Sequence, residues 1–397
     1  MIRNTMRLIY KNFREYYAIY QNRKNEIYKF QNPERKKIYC TIKLTKEQKR
    51  QIDEVYSDNY GKKIPYIWHR YFTAYTGTFD EKYFPELLYI PEFEYYMTPH
   101  KEYCYALGDK NVISIIAGYI GVKTPKVILS KAAGIYRDEN LRKLSKQQVF
   151  ERCNSGGVLF AKPSVESSSG RGCQLIEIVK GIDVRTGCSL EQILAGLGED
   201  FVIQDIVKCH PGVRKFHPYS VNTFRVITYR WKESIQFCPI IMRMGTGKSY
   251  LDNAHAGGLF IAVENDGKLH KTAFTEFNEQ FTEHPDTHIR FEGYKIEGFN
   301  KIMEAAKKMH YAVPQVGAIN WDFTLDEDAE AVLIEANMQS GSIWLPEMAH
   351  GKGAFGDNTE DILRWLRLMR TTKMNERRNL YYGRTGRENP YGSYSGI

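Results

Sequence analysis

The spacing of hydrophobic and polar residues changes near residue 100. Before it, apolar and aromatic residues recur with helical spacing between irregular connections. After it, short alternating or continuous apolar runs, which are typical of strands, are interspersed with helix-spaced segments. The predicted strands are 158–163, 173–179, 201–207, 223–231, 235–243, 259–263, 318–325 and 331–336, and the predicted helices are 104–119, 190–197, 298–310 and 359–369. This order predicts an α+β fold with two subdomains.

The same pattern divides the chain into four segments. A helical and aromatic N-terminal region covers residues 1–100, a first α+β subdomain covers 101–207, and a second covers 208–371. The last segment, 372–397, is polar and rich in Arg, Gly, Tyr and Ser, so it is predicted to be a mobile tail.

Composition predicts a cytoplasmic globular protein. Of the 397 residues, 42% are hydrophobic and 26% are charged, which is ordinary for a globular chain. The longest apolar stretch, Val112 to Val122, is shorter than the ~20 residues that a membrane-spanning helix needs, and the sequence predicts no secretory signal. The seven cysteines are odd in number and never spaced as Cys-x-x-Cys, which favours reduced thiols in the cytoplasm.

Positive charge is concentrated at the N-terminus. Residues 1–64 contain 16 Lys and Arg against 7 Asp and Glu, and the net charge of the whole chain is +9, so the remaining residues are neutral in sum. This basic, tyrosine-rich arm has two interpretations. It is either a surface for an anionic membrane or a glycan-assembly partner, or, as we favour, a solvated helical face that packs its Tyr and Ile residues on the main body. No nucleic acid partner is expected.

The last two predicted strands carry the most specific polar cluster. Glu335 and Asn337 are two residues apart in an apolar strand, so their side chains leave the same face. Asp322 lies on the preceding strand, across a short acidic turn. Two carboxylates and an amide oxygen are hard ligands that suit Mg²⁺. The alternative is the solvent-facing side of an ordinary hairpin, and these three residues alone support both interpretations equally.

A lysine followed by a small-residue loop predicts a phosphate site. Lys162 ends an apolar strand, and the Gly/Ser-rich stretch 164–172 follows at once. Small residues let backbone N–H groups approach phosphates, and a strand-borne lysine adds a fixed positive charge. A flexible surface turn is the alternative, but it does not explain a lysine inside an apolar strand.

Arg225 and Arg243 also lie in strand-like stretches, and for either one alone a structural salt bridge is the favoured interpretation.

Taken together, these residues resemble the ATP-grasp superfamily over roughly residues 100–365. In chain order the matching segments are Gly108-Asp-Lys-Asn with Lys110, Lys162, Glu166-Ser-Ser-Ser-Gly-Arg-Gly, the hinge strand 201–207, Asn222-Thr-Phe-Arg, Asp252-Asn-Ala-His-Ala-Gly-Gly, Asn320-Trp-Asp and Ile334-Glu-Ala-Asn-Met-Gln-Ser-Gly. The combined order is specific, although each piece alone is not. More narrowly, the runs 220–225 and 335–341 are similar to the ATP-grasp group associated with sugar transfer and polysaccharide biosynthesis.

The resemblance implies an ATP-grasp fold, in which two α+β subdomains clasp ATP and Mg²⁺. The implied nucleotide contacts are Lys110, Lys162, Ser167, Ser168, Ser169, Gly170, Gly172, Gln204, Asp205, Ile206, Val207 and Asn253. Among them, the two lysines would contact the α and β phosphates, and residues 204–207 would line the adenine. The implied metal ligands are Asp322, Glu335 and Asn337, and the implied catalytic residues are Arg225 and Arg243, which would stabilise the transferred phosphoryl group.

Two positions depart from the superfamily pattern. Asn320 stands two residues before the metal aspartate, where D-alanine–D-alanine ligases have an arginine. The stretch 208–212 replaces the carboxylate that usually binds ribose after the hinge strand. Stabilisation of a tetrahedral intermediate would therefore fall to another group, with Arg225 as the first candidate, and no residue is predicted to bind the ribose.

Three functions compete on this scaffold. The first is a ligase that activates a carboxylate as an acyl phosphate and joins it to an amine or another nucleophile, with a saccharide substrate in polysaccharide or glycoconjugate biosynthesis. The second is a small-molecule or sugar kinase. The third is a non-catalytic nucleotide-binding scaffold in glycan assembly, against which the complete sets of lysines and metal ligands argue.

Overall fold

The computed structural model describes residues 2–154, 157–165, 171–249, 252 and 257–385. The N-terminal helices are α1 (Ile2–Lys29), α2 (Pro33–Cys40), α3 (Lys46–Glu54), α4 (Ile67–Thr76), α5 (Glu86–Leu88) and α6 (Tyr95–Met97), with π-helical turns at Val55–Tyr60 and Tyr89–Glu94. The later helices are α7 (Glu102–Leu107), α8 (Lys110–Tyr119), α9 (Lys146–Cys153), α10 (Leu190–Leu197), α11 (Pro211–Arg214), α12 (Phe299–Ala312), α13 (Trp344–His350) and α14 (Thr359–Thr371). Short 3₁₀ segments cover Gly356–Asn358 and Met374–Gly383.

The first sheet has six strands. They are β1 (Val127–Ala132), β2 (Ile135–Arg137), β3 (Val158–Pro163), β4 (Gln174–Val179), β5 (Ile182–Asp183) and β6 (Phe201–Asp205), in the antiparallel order β2-β1-β6-β3-β4-β5. Helices α9 and α10 share a core with this sheet that includes Leu129, Ile176 and Phe201. Strand β6 pairs with β3 so that Gln204 lies opposite Phe160. This pairing places the hinge strand beside the strand that carries Lys162.

The second sheet has eight strands. They are β7 (Thr223–Trp231), β8 (Ser234–Phe237), β9 (Ile240–Met244), β10 (Leu259–Val263), β11 (Leu269–Phe274), β12 (Gln280–Phe281), β13 (Ala318–Leu325) and β14 (Ala331–Asn337). The order is β12-β11-β10-β9-β7-β13-β14, and β8 also pairs with β7. Helix α12 packs on one face through Phe299 and Ile302, next to Phe224 and Phe323.

The N-terminal region covers the other face of the second sheet. Tyr56 and Tyr60 pack with Trp365 of α14 against Ile227 and Tyr229 of β7. Alternate residues of β7 therefore face two different cores, as expected for a strand with both faces buried. The sequence separates residues 1–100 as a region of their own. In the structure, this region packs against the second sheet.

The structure differs from the predicted elements in several places. The helix predicted for 104–119 is two helices, because Asp109 takes an extended backbone and caps α8 by accepting a hydrogen bond from the Asn111 N–H. The strand predicted for 235–243 is divided into β8 and β9. Strands β2, β5, β11 and β12 and helices α9, α11 and α13 fall in segments that the sequence leaves unassigned.

The predicted mobile tail begins inside the packed fold. Leu380 is buried, and the indole N–H of Trp365 donates to its carbonyl oxygen at 2.6 Å. Arg377 is buried as well. The predicted boundary at residue 372 therefore does not mark the end of packing, and residues 386–397 lie outside the described part of the chain.

The basic arm is divided between core and surface. Ile52 and Tyr56 are fully buried, whereas Tyr10, Tyr16 and Tyr20 on α1 are more than half exposed. A contact of α1 with a membrane or a glycan-assembly partner stays a prediction. Among the described helices, none has the length and apolar character required to cross a membrane.

Candidate functional site

A cavity of about 530 Å³ lies between the two sheets. Phe160 and Leu175 of the first sheet form an apolar wall, and Arg225, Asp322 and Glu335 of the second sheet face it. The predicted site residues that line this cavity are Lys110, Lys162, Gln204, Asp205, Ile206, Val207, Arg225, Arg243, Asp322, Glu335 and Asn337. The fold thus brings together residues that are separated by more than two hundred positions in the sequence.

The other six predicted site residues are not among the described residues that line the cavity. Gly172 is the one described candidate outside the cavity lining; it lies before β4 with a φ of +75°, a conformation that favours glycine, and its neighbour Cys173 does line the cavity. Five other predicted residues lie outside the described part of the chain: Ser167, Ser168, Ser169, Gly170 and Asn253.

The β13–β14 hairpin places the three predicted metal ligands together. Asp322 pairs in register with Glu335, and Asn320 pairs with Asn337. A β-bulge follows directly, because Phe323 pairs with Leu333 and leaves one extra residue on β14. The two carboxylates and the amide therefore line one cavity, and this donor set of hard oxygens fits Mg²⁺.

The bulge has a second consequence at the site. The extra residue is Ile334, and its carbonyl oxygen accepts a hydrogen bond from Lys162 Nζ at 3.3 Å. The lysine of the first sheet thus reaches the β13–β14 hairpin of the second sheet. Lys162 is buried, and this burial lowers its pKa to about 8, so it remains mostly protonated at neutral pH.

Helix α8 supplies the second lysine. Its first residue is Lys110, whose backbone N–H donates to the carbonyl oxygen of Ser164 at 3.0 Å, which joins the helix start to the end of β3. The Lys110 Nζ lies 3.1 Å from Glu335 Oε1. Lys110 and Lys162 therefore contact neighbouring residues of strand β14, the carboxylate of Glu335 and the carbonyl oxygen of Ile334, although they come from different elements.

Two arginines surround the other carboxylate. Arg225 contacts Asp322 in a bidentate manner, with Nε at 2.6 Å from Oδ1 and Nη2 at 3.0 Å from Oδ2. Arg243 Nη2 lies 3.2 Å from Asp322 Oδ2 and 3.4 Å from Asp252 Oδ2. Burial opposes the ionisation of Asp322, but the two arginines more than offset it and hold the pKa of this carboxyl below its usual range.

Asp252 was not among the predicted site residues. It is buried, lines the cavity, and also accepts a hydrogen bond from the hydroxyl of Thr223. The resemblance includes Asp252 in a longer motif but gives it no role, and only the fold shows that it faces Arg243.

The N-terminal region contributes one end of the cavity. Lys29 and Arg35 line it together with Glu276 and Trp344. The guanidinium of Arg35 stacks over the Trp344 ring at 4.6 Å and contacts Glu276 at 2.8 Å. Nothing in the local sequence around Lys29 or Arg35 predicts this placement, since it depends on how the ends of α1 and α2 pack near the second sheet.

Two buried glutamates of the N-terminal region fix the loop after the β13–β14 hairpin. Glu94 accepts hydrogen bonds from the backbone N–H groups of Ser340 at 2.7 Å and Gly341 at 3.1 Å. Glu86 accepts one from the Ile343 N–H at 3.0 Å. Because Ser340 and Gly341 line the cavity, these carboxylates shape the site without facing it.

The stability that Glu94 contributes is expected to depend on pH. Burial raises its pKa from 4.5 to about 7. The native state therefore holds the proton more tightly than the unfolded chain, so this contribution is complete below about pH 4.5 and is lost as the pH rises through about 7. Glu94→Gln should reduce the fall in unfolding free energy between about pH 5 and 8 by up to roughly 3 kcal/mol, measured by urea denaturation. An unchanged pH profile would contradict this, and Glu102→Gln, at an exposed position, is the control.

The two departures from the superfamily pattern have structural explanations. Asn320 is buried, and its Nδ2 donates to the Ser342 carbonyl oxygen at 3.2 Å, so it positions the loop after β14. A Cβ at Gly341 would clash with the Asn320 amide, which explains the glycine there. After the hinge strand, His210 caps the short helix α11 where the ribose carboxylate would stand.

Lys162→Ala is expected to weaken ATP binding by about tenfold to a hundredfold, the usual range for one lost charge-assisted hydrogen bond. The matched control is Lys131→Ala, because Lys131 lies on β1 of the same sheet and contacts Glu199 at 3.1 Å, and it is not among the described residues that line the cavity. Isothermal titration with ATP and Mg²⁺ measures both variants. Equal dissociation constants for the two would argue against a phosphate contact by Lys162.

Two antiparallel sheets that enclose a cavity, with a buried lysine on one and a carboxylate hairpin on the other, define an ATP-grasp fold. Within this class, the sequence matches the sugar-transfer associated ATP-grasp family over residues 92–361, and the protein belongs to that family. No curated protein matches the sequence.

Solved structures with a similar fold include three enzymes. The L-amino acid ligase from Bacillus licheniformis is 16% identical with a TM-score of 0.33, over 61% of this chain and 42% of that one. The D-alanine–D-alanine ligase from Bacillus anthracis is 15% identical with a TM-score of 0.36, over 66% and 67%. Biotin carboxylase from Campylobacter jejuni is 14% identical with a TM-score of 0.40, over 66% and 47%. The match spans less than half of the length of the L-amino acid ligase.

Proposed function

We propose that this protein is an ATP-dependent ligase that activates a carboxylate as an acyl phosphate and joins it to an amine or another nucleophile. The observation that carries the proposal is the convergence of two lysines, two arginines and the Asp322, Glu335 and Asn337 ligand set in one cavity. Such a cavity fits a polyphosphate with its metal. The family name supports a saccharide substrate and a role in polysaccharide or glycoconjugate biosynthesis.

The charges around the cavity favour a bound nucleotide. The cationic side chains are Lys110, Lys162, Arg225 and Arg243, and the carboxylates that they contact or face are Asp252, Asp322 and Glu335. The cluster therefore carries a surplus of positive charge before any ligand binds. A triphosphate with Mg²⁺ would add a net negative charge, and the carboxylates would then share their cations with phosphate oxygens.

The predicted site residues that line the cavity have distinct roles in this proposal. Lys110 and Lys162 would bind the α and β phosphates, and the segment from Gln204 to Val207 would line the adenine beside Phe160. The hairpin carboxylates and Asn337 would hold Mg²⁺, which supplies charge neutralisation for the phosphates.

The reaction then depends on the arginines. Arg225 and Arg243 would stabilise the phosphoryl group as it passes from ATP to a carboxylate oxygen of the substrate. The bond from the γ-phosphorus to the ADP oxygen breaks and the bond to the carboxylate oxygen forms. A nucleophile then attacks the acyl carbon, loses its proton and displaces inorganic phosphate. The cavity end with Lys29 and Arg35 is the place we assign to the anionic substrate.

Acyl phosphate trapping tests the reaction type. The protein is incubated with ATP, Mg²⁺ and hydroxylamine together with single members of a panel of uronic acids and amino acids. A ligase yields ADP, phosphate and a hydroxamate that depends on the carboxylate, because hydroxylamine attacks the acyl phosphate. A stable phosphorylated product with no hydroxamate would replace this proposal by the kinase, and ATP binding without any ADP formation would favour the non-catalytic scaffold.

A further inference from the structure

A second cluster of metal-ligand side chains lies where β10, β11 and α13 meet. Glu264 follows β10, His270 is on β11, and His350 ends α13. One potential ligand atom of each residue lies within 4.8 Å of the other two. None of these three described residues lines the central cavity.

His350 is the most informative member of this cluster. Its Nε2 lies 2.7 Å from the carbonyl oxygen of Ile240, and because a carbonyl only accepts, Nε2 carries the proton and Nδ1 has a free lone pair. The side chain is 1% exposed, and Nδ1 has no hydrogen-bond partner among the described residues. A buried, unpartnered lone pair is costly unless something binds it.

The other two residues complete a set of donors around that lone pair. His270 Nε2 lies 2.6 Å from Glu264 Oε1, and the same oxygen lies 3.9 Å from His350 Nδ1. A hydrogen-bonded His–Glu pair explains the first contact but leaves Nδ1 of His350 without a partner. Glu264 and His270 are partly exposed, which leaves a path from solvent to the cluster.

We propose that Glu264, His270 and His350 bind a divalent transition metal, with zinc as the ion that fits best. Two imidazole nitrogens and one carboxylate oxygen are typical zinc ligands, and the exposed side leaves a fourth position for water. Ligands around a tetrahedral zinc lie about 3.4 Å apart, given metal–ligand bonds of about 2.1 Å, so side-chain adjustments are sufficient. The hydrogen bond from His350 to Ile240 orients the ring as backbone acceptors do for histidine ligands of metals.

Two features bear on how such an ion would bind. His270 would have to carry its ring proton on Nδ1, or release it, when Nε2 binds the metal. Lys352 also lies close enough to affect both Glu264 and His350, and its positive charge opposes metal binding. The carboxylate of Glu264 offsets that charge, so it is both a ligand and the main source of electrostatic attraction.

The site would connect metal binding to the cavity. Helix α13 begins at Trp344, which lines the cavity end assigned to the anionic substrate, and it ends at His350. A metal that ties His350 to Glu264 and His270 would fix this helix against β10 and β11. Bound zinc is therefore expected to raise the Tm of the whole protein.

Cobalt titration of the full chain tests the proposal. Co²⁺ held by two imidazoles and a carboxylate in four-coordinate geometry gives intense visible absorption, whereas the oxygen ligands of the central cavity do not. The wild-type protein should bind one equivalent of Co²⁺ with this spectrum, and Zn²⁺ should displace it. His270→Ala and Glu264→Gln should each weaken Co²⁺ binding at least tenfold, and His350→Gln should do the same.

The control is His288→Ala, because His288 forms a similar exposed pair with Glu283 at 3.0 Å but belongs to no group of three potential ligands among the described residues. This variant should bind Co²⁺ as the wild type does. Far-UV circular dichroism and metal-free Tm values check that the His270 and Glu264 variants remain folded. The proposal is overturned if the wild type shows no four-coordinate spectrum at equimolar Co²⁺, or if folded His270→Ala binds Co²⁺ with wild-type affinity.

Discussion

Glu335→Gln combined with Asn337→Ala is expected to abolish the Mg²⁺-dependent part of ATP binding. Asp322 would remain, but its carboxylate is already held by Arg225 and Arg243, so it cannot replace two lost ligands. At an ATP concentration about a hundred times the dissociation constant, Mg-ATP stabilises a protein by about 2.7 kcal/mol. The double variant should lose this Mg²⁺-dependent stabilisation and retain only the effect of ATP without metal, measured by the shift in Tm.

The same hairpin provides a control for this experiment. Glu330 precedes β14 and contacts Lys301 on the surface, so Glu330→Gln removes a carboxylate at the hairpin turn and outside the cavity. It should respond to Mg-ATP as the wild type does. Full Mg²⁺-dependent protection of the double variant would contradict the metal assignment. A loss in both variants would show that the hairpin fold, and not the ligand set, had been disturbed.

The convergence of Asp322, Glu335 and Asn337 on one hairpin could be predicted from the sequence because its geometry is local. Residues two apart in one strand share a face, and a short acidic turn brings Asp322 alongside Glu335 in an antiparallel pair. The sequence does not predict the bulge at Ile334, which depends on how β13 pairs with β14. That bulge presents the carbonyl oxygen of Ile334 to Lys162. One contact between the two sheets therefore follows from a single extra residue.

The arginines show where prediction from single residues is insufficient. For Arg225 and Arg243 taken alone, structural salt bridges were the favoured interpretation, and both do contact carboxylates. Their partner Asp322 is itself a predicted metal ligand in the cavity, so the salt bridge lies within the candidate site. A sequence pattern does not distinguish these situations, because they differ only in where the partner lies.

Two of the elements that the sequence leaves unassigned, β11 and α13, have a composition that hides them. Strand β11 contains His270 and Lys271 in a short segment, which hides the apolar pattern of a half-buried strand. Helix α13 carries Pro346, and proline normally indicates a break, yet it is tolerated in the first turn of a helix. Both elements carry residues of the proposed zinc site, and α13 also contributes Trp344 to one end of the cavity.

Arg225→Met is expected to weaken binding of ADP with aluminium fluoride and Mg²⁺, which mimics the transferring phosphoryl group, by about 10²- to 10³-fold relative to ADP alone. The reason is that a fixed cation acts on charge that develops during transfer, and removal of one such donor typically costs about 3–4 kcal/mol. The variant should also be less stable, because Asp322 loses its bidentate partner and keeps only Arg243. Isothermal titration measures both affinities without knowledge of the second substrate.

A substitution at Arg230, on the same strand, is the control that distinguishes a catalytic role of Arg225 from a structural one. Arg230 lies on β7 as Arg225 does, but its guanidinium stacks over Tyr382 at 4.2 Å and donates to the Pro314 carbonyl oxygen at 3.3 Å, away from the cavity lining. Arg230→Met should leave the affinity ratio between the mimic and ADP unchanged, even where it lowers stability. If Arg225→Met lowers both affinities equally, Arg225 serves only to hold Asp322. In that case the stabilisation of the phosphoryl group must come from Arg243, the other guanidinium that contacts this carboxylate.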